Sequence, residues 1–272
     1  MEGTAIDPGG DFDMLKQAIE EQGFKIAKVL LTHGHVDHAS AAGTMAEHYG
    51  VKIEGPHRDD QFLINAHGLL YDEVCASNLI KIDIEGNILS KPDFGALNYG
   101  INKAGYVIHS AVHSARHDVA CVIHTHTRAG MAVSAMKCGL IPLTQTGIRF
   151  VDHLAYHDYE GPAIDLAERE RLVHDLGEHN AMILNNHGLL TCGPSCGEAF
   201  NLMYNLELAC RAQVDAMASG TELRHPSKDV LAKTAHLYQP GARRPYGVLE
   251  WHAMLRLLKA ESSTSGFAPY WA

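Results

Sequence analysis

Cys121-Val-Ile-His-Thr-His-Thr-Arg-Ala-Gly130 changes character halfway along its length. With Val119 and Ala120 before it, the first part is a short run of β-branched and apolar residues, which reads as a buried strand over 119–126. Alternation along a strand sets His124 and His126 on one face. Thr127 has the chemistry of a helix cap, and the Ala- and Met-rich run behind it predicts a helix over 128–138, stopped by Gly139. Two imidazoles side by side at a strand's end suit a divalent cation, because neutral imidazole is a common zinc ligand and fixed neighbours lower the cost of ordering the pair. A third imidazole stands in Leu184-Asn-Asn-His-Gly-Leu-Leu190, where His187 ends another apolar run and Gly188 lets the backbone turn away. Three histidines with an open fourth position are the donor set of a catalytic zinc, whereas a structural zinc takes four protein ligands. The competing reading for each is a hydrogen-bonded core histidine, and with 19 histidines in the chain no single pair stands out by rarity.

Further motifs flank these residues: Phe62-Leu-Ile-Asn-Ala-His-Gly-Leu-Leu70, Ala104-Gly-Tyr-Val-Ile-His-Ser-Ala-Val-His113, Ala132-Val-Ser-Ala-Met-Lys-Cys-Gly139, Ala155-Tyr-His-Asp-Tyr-Glu-Gly161 and Ile183-Leu-Asn-Asn-His-Gly-Leu-Leu190. In this order they resemble the class II aldolase and adducin head family, over about residues 62–258. The resemblance implies an α+β fold with a central, mostly antiparallel sheet flanked by helices. It implies His124, His126 and His187 as zinc ligands, and a homo-oligomer, usually a tetramer, with a neighbour's residues near the metal. The expected chemistry is that of a Lewis acid gripping the carbonyl and hydroxyl oxygens of a ketose and stabilising an enediolate as the adjacent C–C bond breaks. In the phosphosugar aldolases a Ser-Ser-Glu stretch supplies phosphate contacts and the acid/base carboxylate. Lys103, Ala104 and Gly105 stand there in this chain, so the carboxylate is missing, as in the adducin-like branch. Glu73, His109 and Tyr156, with Asp72 beside the first, are the candidates for the missing proton carrier.

Residues 1–60 read differently. Ala5-Ile-Asp-Pro-Gly-Gly10 ends a strand, an amphipathic helix follows over 11–22, and a strand over 26–31 runs into Thr32-His-Gly-His-Val-Asp-His38. This string resembles the metal motif of the metallo-β-lactamase superfamily, in its glyoxalase II-like branch. Gly34 bends the loop so that His33 and His35 can share one metal while Asp37 and His38 face a second. The histidines and aspartate that complete such a site downstream are not found. The expectation is a βαβαβ fragment over 1–60, too small for confident independent stability. The aldolase-like domain follows over 61–260, with a flexible tail over 261–272.

Within the larger domain, Leu79–Ile84 and Ile88-Leu89 read as a hairpin. Asn102 caps a helix running to about Ala115, with Tyr106, Ile108, Val112 and Ala115 inward and His109, His113 and His117 four apart on one side. The loop 150–161, with Tyr156, His157, Asp158 and Tyr159, is another source of a proton donor. A charged amphipathic helix follows over 163–178. Ser195-Cys-Gly-Glu198 is a capping box opening a helix that turns Phe200, Met203, Leu206 and Cys210 inward and ends at Gly220. A last helix is expected over 248–259.

A formal charge of −10 argues against nucleic acid or an acidic membrane as partner. The opening residues have no basic n-region or apolar core, and no run approaches membrane-spanning length. The six cysteines show no C-x-x-C spacing and read as reduced thiols of a cytoplasmic protein. The functional expectation is a zinc-dependent aldolase-like lyase on a small hydroxyketone or hydroxy acid. The alternatives are a catalytically silent adducin-like assembly or binding module, and a metal-dependent hydrolase run by the N-terminal motif.

Overall fold

The computed structural model describes residues 2–6, 12–30, 41–51, 53–54, 62–83, 86–161, 166–239 and 241–265. It divides into two compact units, Met1–Gly100 and Ile101–Ala272. Among the described residues no helix is long and apolar enough to cross a membrane.

In the first unit β1 (Glu2–Ile6), β2 (Lys25–Leu30) and β3 (Ile53–Glu54) form a parallel sheet in that order. Parallel strands need crossovers, and α1 (Phe12–Glu21) and α2 (Ala42–Tyr49) stand between them in sequence. Phe12, Leu15 and Ile19, one stripe of α1, pack against buried Val29 and Met45. A second sheet is an antiparallel meander of β4 (Phe62–Asn65), β5 (Leu79–Ile82) and β6 (Ile88–Ser90). The alternation of β5 buries Ile80 and Ile82 completely. The strand stops at Ile82 rather than Ile84, because the Asp83 side chain accepts from Asn87 N–H at 2.8 Å and turns the chain.

The second unit is built on a sheet of β7 (Cys121–Thr125), β8 (Ala155–His157), β9 (Ala181–Leu184) and β10 (Gly188–Gly193), ordered β7-β10-β9-β8. β10 runs antiparallel to both neighbours, and β8 lies parallel to β9. Every residue of β9 and β10 is buried, as their unbroken small and apolar composition allows. β10 itself corrects the reading of Gly188 as the point where the chain turns away. The turn comes earlier, at Asn186 with φ +55°, and His187 N–H donates to Leu184 C=O at 3.0 Å. Asn tolerates this left-handed geometry better than a branched residue.

Helices cover this sheet. Asn102 caps α3 (Lys103–Ala115), its side chain accepting from Ala104 N–H at 3.0 Å. Ala115 is exposed rather than inward, since the helix ends there. Arg116 then ties the exit to Asp118 and to the carbonyls of Gly177 and His179, leaving His117 exposed beyond the helix. α4 (Arg128–Ser134) stops four residues short of the expected end, because the Ser134 carbonyl accepts from Asn186 N–H of the β9–β10 turn at 2.9 Å. After the single turn α5 (Gln145–Ile148) come α6 (Leu166–Leu176), α7 (Cys196–Ala218), α8 (Lys228–His236) and α9 (Val248–Ser265). Ser195 caps α7 as expected, accepting from Glu198 N–H at 3.2 Å. Met203, Leu206 and Cys210 of α7 join Ile183 and Leu189 in the core, while Phe200 instead meets the Trp251 ring of α9 at 5.8 Å. α9 continues to Ser265, so residues 261–265, expected in a flexible tail, are helical.

Gln213 is the polar lock of this core. Its side chain accepts from Ile141 N–H at 2.6 Å and donates to Gly139 C=O at 2.8 Å, pinning that loop to α7. Gln213→Leu removes both bonds at a site 1% exposed and leaves Ile141 N–H and Gly139 C=O without this partner. The expected cost is about 2 kcal/mol, measured by urea denaturation.

Candidate metal centre

The extended geometry of β7 holds His124 opposite Leu190 of β10. His126 follows one residue past the strand end. The Thr127 hydroxyl, expected to cap α4, instead donates to the Glu207 carboxylate at 2.5 Å. His187 comes in from the β9–β10 turn. The three rings converge: centroids are 4.7 Å apart for His124–His126, 4.8 Å for His124–His187 and 4.7 Å for His126–His187. One ligand nitrogen of each lies within 4.8 Å of the others. Gly188 makes this approach possible, since a Cβ there would stand 2.3 Å from the Thr125 carbonyl oxygen and 3.3 Å from the His126 ring.

The cluster fits a divalent cation on its own chemistry. His124 Nδ1 lies 2.9 Å from the Leu189 carbonyl oxygen. A carbonyl only accepts, so Nδ1 carries the proton and Nε2 presents its lone pair. That Nε2 lies 2.8 Å from His126 Nε2. Ligand nitrogens about 2.05 Å from a tetrahedral zinc stand roughly 3.3 Å apart, so a small spreading admits the ion. Burial, then the neighbouring His187, pushes His124 down to about 3. Burial, then His126, also lowers His187, so both are neutral and ligand-competent at neutral pH.

A second group of side chains adjoins the first. His157, 4% exposed on β8, has Nδ1 2.8 Å from the Asp175 carboxylate of α6. Its Nε2 is buried without a hydrogen-bond partner among the described residues, 3.7 Å from Glu168 Oε1. Glu168 is 7% exposed, and loss of hydration holds its pKa above the ordinary carboxylate value. His157, Glu168, Tyr159 and His187 line one small cavity with Ile108 and Leu172. The Tyr159 ring lies 6.0 Å from that of His187.

The other sequence candidates have separate placements. His109 is lowered to about 4 by burial, then by His113, and its charge opposes protonation of His124. Tyr156, adjacent to His157 on the strand and 40% exposed, accepts from Leu140 N–H at 3.0 Å through its phenol oxygen. Glu73 belongs to the first unit, where its carboxylate accepts from Leu70 N–H at 2.7 Å. His33, His35, Asp37 and His38 lie outside the described residues. Glu168 was missed because it reads as one charge on a charged helix. Its spacing with Leu172 and Leu176, both fully buried, was the available signal: positions four and eight apart share a helix face.

Comparison with known proteins finds that the model of the Class II Aldolase and Adducin N-terminal domain matches residues 24–214. The match begins upstream of Phe62, where the motifs placed its start. A crystal structure of an aldolase II superfamily protein from Pseudomonas syringae superposes with a TM-score of 0.70 and 49% identity, covering 80% of this chain and 82% of that one. An L-fuculose 1-phosphate aldolase from Glaciozyma antarctica PI12 superposes with a TM-score of 0.65 and 25% identity, covering 80% of each chain. Alpha-adducin of Mus musculus is 47% identical over 161 residues, which are 59% of this chain and 21% of alpha-adducin.

Proposed function

The chain belongs to the class II aldolase and adducin family, and on that premise we propose that it is a divalent-metal-dependent lyase acting on a small hydroxyketone or hydroxy acid. The observation that carries this reading is the convergence of His124, His126 and His187 with the His124 tautomer fixed by the Leu189 carbonyl. A divalent cation held by these imidazoles, zinc in the first instance, supplies Lewis acidity toward oxygens beside the bond that breaks. His157 and Glu168 are the proton carriers in this proposal. Asp175 holds Nδ1–H, so the lone pair on Nε2 is free to take a proton, while buried Glu168 holds one more tightly than an exposed carboxyl does. This pair takes over the role of the carboxylate absent at Gly105. The likeness to an L-fuculose 1-phosphate aldolase supports C–C bond chemistry; with Lys103 to Gly105 in place of the Ser-Ser-Glu stretch, the phosphate of that substrate is not carried over. A homo-oligomer, a tetramer in the family's usual form, belongs to the same proposal.

The test is turnover of a panel of hydroxyketones and hydroxy acids by zinc-loaded protein, with and without a chelator. Chelator-sensitive cleavage of any member supports the lyase. A metal-loaded protein silent toward the whole panel favours the second reading, a non-catalytic adducin-like assembly or binding module. That reading draws on Gly105 and on the identity to alpha-adducin. For residues 1–60 the metallo-β-lactamase-type reading rests on the Thr32 to His38 motif alone, while the family match takes in residues 24–60, and no function is attached to the segment.

A further inference from the structure

Arg149 closes α5 and is 8% exposed. Its guanidinium lies 5.3 Å from the Tyr238 ring centroid and 5.1 Å from that of Tyr246. Tyr246 also carries Arg244 at 5.2 Å, and Arg244 is neutralised by a two-pronged pair with Glu250. Arg149 has no such partner: among the described residues no carboxylate or carbonyl hydrogen-bonds to its guanidinium. Stacking on rings returns part of the lost hydration but satisfies none of the five N–H donors. A buried guanidinium with idle donors is uncommon, because buried polar groups are nearly always paired.

Arg149 lines a cavity of about 290 Å³. His153 lines it too, with Nε2 buried and without a hydrogen-bond partner among the described residues. Arg243, Arg244, His179 and Asn180 add donors to the wall, which also carries two carboxylates, Glu178 and Glu198, the second accepting from the Ser195 hydroxyl at 2.8 Å. The cavity shares no lining residue with the one beside His187. It sits at the Cys192–Gly193 end of β10, whereas the imidazole cluster adjoins the Gly188 end. Five residues of strand put the two about 16 Å apart.

We propose that this pocket is a second binding site, which takes the oxyanion of a small molecule, a phosphate or a carboxylate, on Arg149 and His153. The anion accepts from the guanidinium that the two tyrosines orient and from the unpartnered imidazole nitrogen, with Arg243 closing the rim. Charge-assisted bonds to a fixed guanidinium are strong and geometrically selective, which suits a site walled by two orienting rings. The proposal stands apart from the lyase reading and needs no metal.

Calorimetric titration of the full-length protein with inorganic phosphate, and separately with malonate, tests it. At least one of the two is expected to bind at one site per chain and to raise Tm. Phosphate alone assigns a phosphorylated ligand, malonate alone a carboxylate, and both a general oxyanion site. Arg149→Met keeps the bulk and removes the charge; it is expected to weaken binding at least tenfold with an unchanged circular dichroism spectrum. Arg243→Ala leaves the ring stack in place, is expected to weaken binding about threefold, and provides the reading should Arg149→Met not fold. Absence of binding by both anions, or binding unaltered in the variants, overturns the proposal and leaves water as the content of the cavity.

Discussion

Gly188→Ala is expected to lower the unfolding free energy by about 3 kcal/mol and Tm by about 8 °C, and to loosen the imidazole cluster in the same step. The added carbon would stand 2.3 Å from the Thr125 carbonyl oxygen, which belongs to the backbone and cannot rotate aside. Relief requires β7 and β10 to separate where Leu189 pairs with Thr125. Thr125 sits between His124 and His126, so the separation moves two of the three rings away from His187. Gly105→Ala is the control. Its new carbon meets nothing closer than the Asn102 side chain at 3.7 Å, and it removes a helix-weakening glycine. Thermal denaturation and zinc content of both variants read the effect. Wild-type values for Gly188→Ala would mean that the strands do not meet as closely as described.

The second large effect is on turnover. Glu168→Gln keeps shape and burial but cannot carry a proton, and His157→Gln removes the imidazole between Asp175 and Glu168. Each is expected to lower kcat by about 10²- to 10³-fold, the usual worth of a positioned acid or base. Zinc content should stay at the wild-type level, since neither side chain is among the clustered ligand groups. A merely structural role predicts a different pattern, with lost stability and altered KM at nearly constant kcat. Full kcat in either variant would move the proton to another group, of which Tyr159 is the nearest to His187 by ring contact.

Part of the sheet that carries the cluster was legible: the β-branched and apolar run over 119–126 contains β7, and the apolar run that His187 ends contains β9. The pairing of His124 with His126 followed from alternation over the expected strand 119–126, although β7 ends at Thr125 and His126 stands one residue beyond it. β10 escaped notice because Gly188 looked like a turn, when the residue that turns is Asn186 and the glycine serves a backbone contact across to β7. Sequence periodicity does not report such cross-strand distances. The early end of α4 has the same origin, a carbonyl drawn off by Asn186 from a segment fifty residues downstream. Glu168 and Arg149 were invisible for a related reason. A charged side chain reads as solvated until the fold shows what covers it, here His157 and Leu172 for one and two tyrosines for the other. The motif at His33 to His38 stood out most strongly in the N-terminal segment, and it lies outside the described residues.

Elemental analysis of the purified protein, set beside His187→Ala after identical dialysis, tests the central claim most directly. The expected result is about one divalent ion per wild-type chain. The variant, with its fold intact by circular dichroism, should retain it more weakly by more than the roughly 10- to 100-fold that loss of a ligand's outer partner costs. A wild-type protein that holds no divalent ion even after incubation with zinc, or a variant that keeps the full complement, would contradict a centre built on His124, His126 and His187.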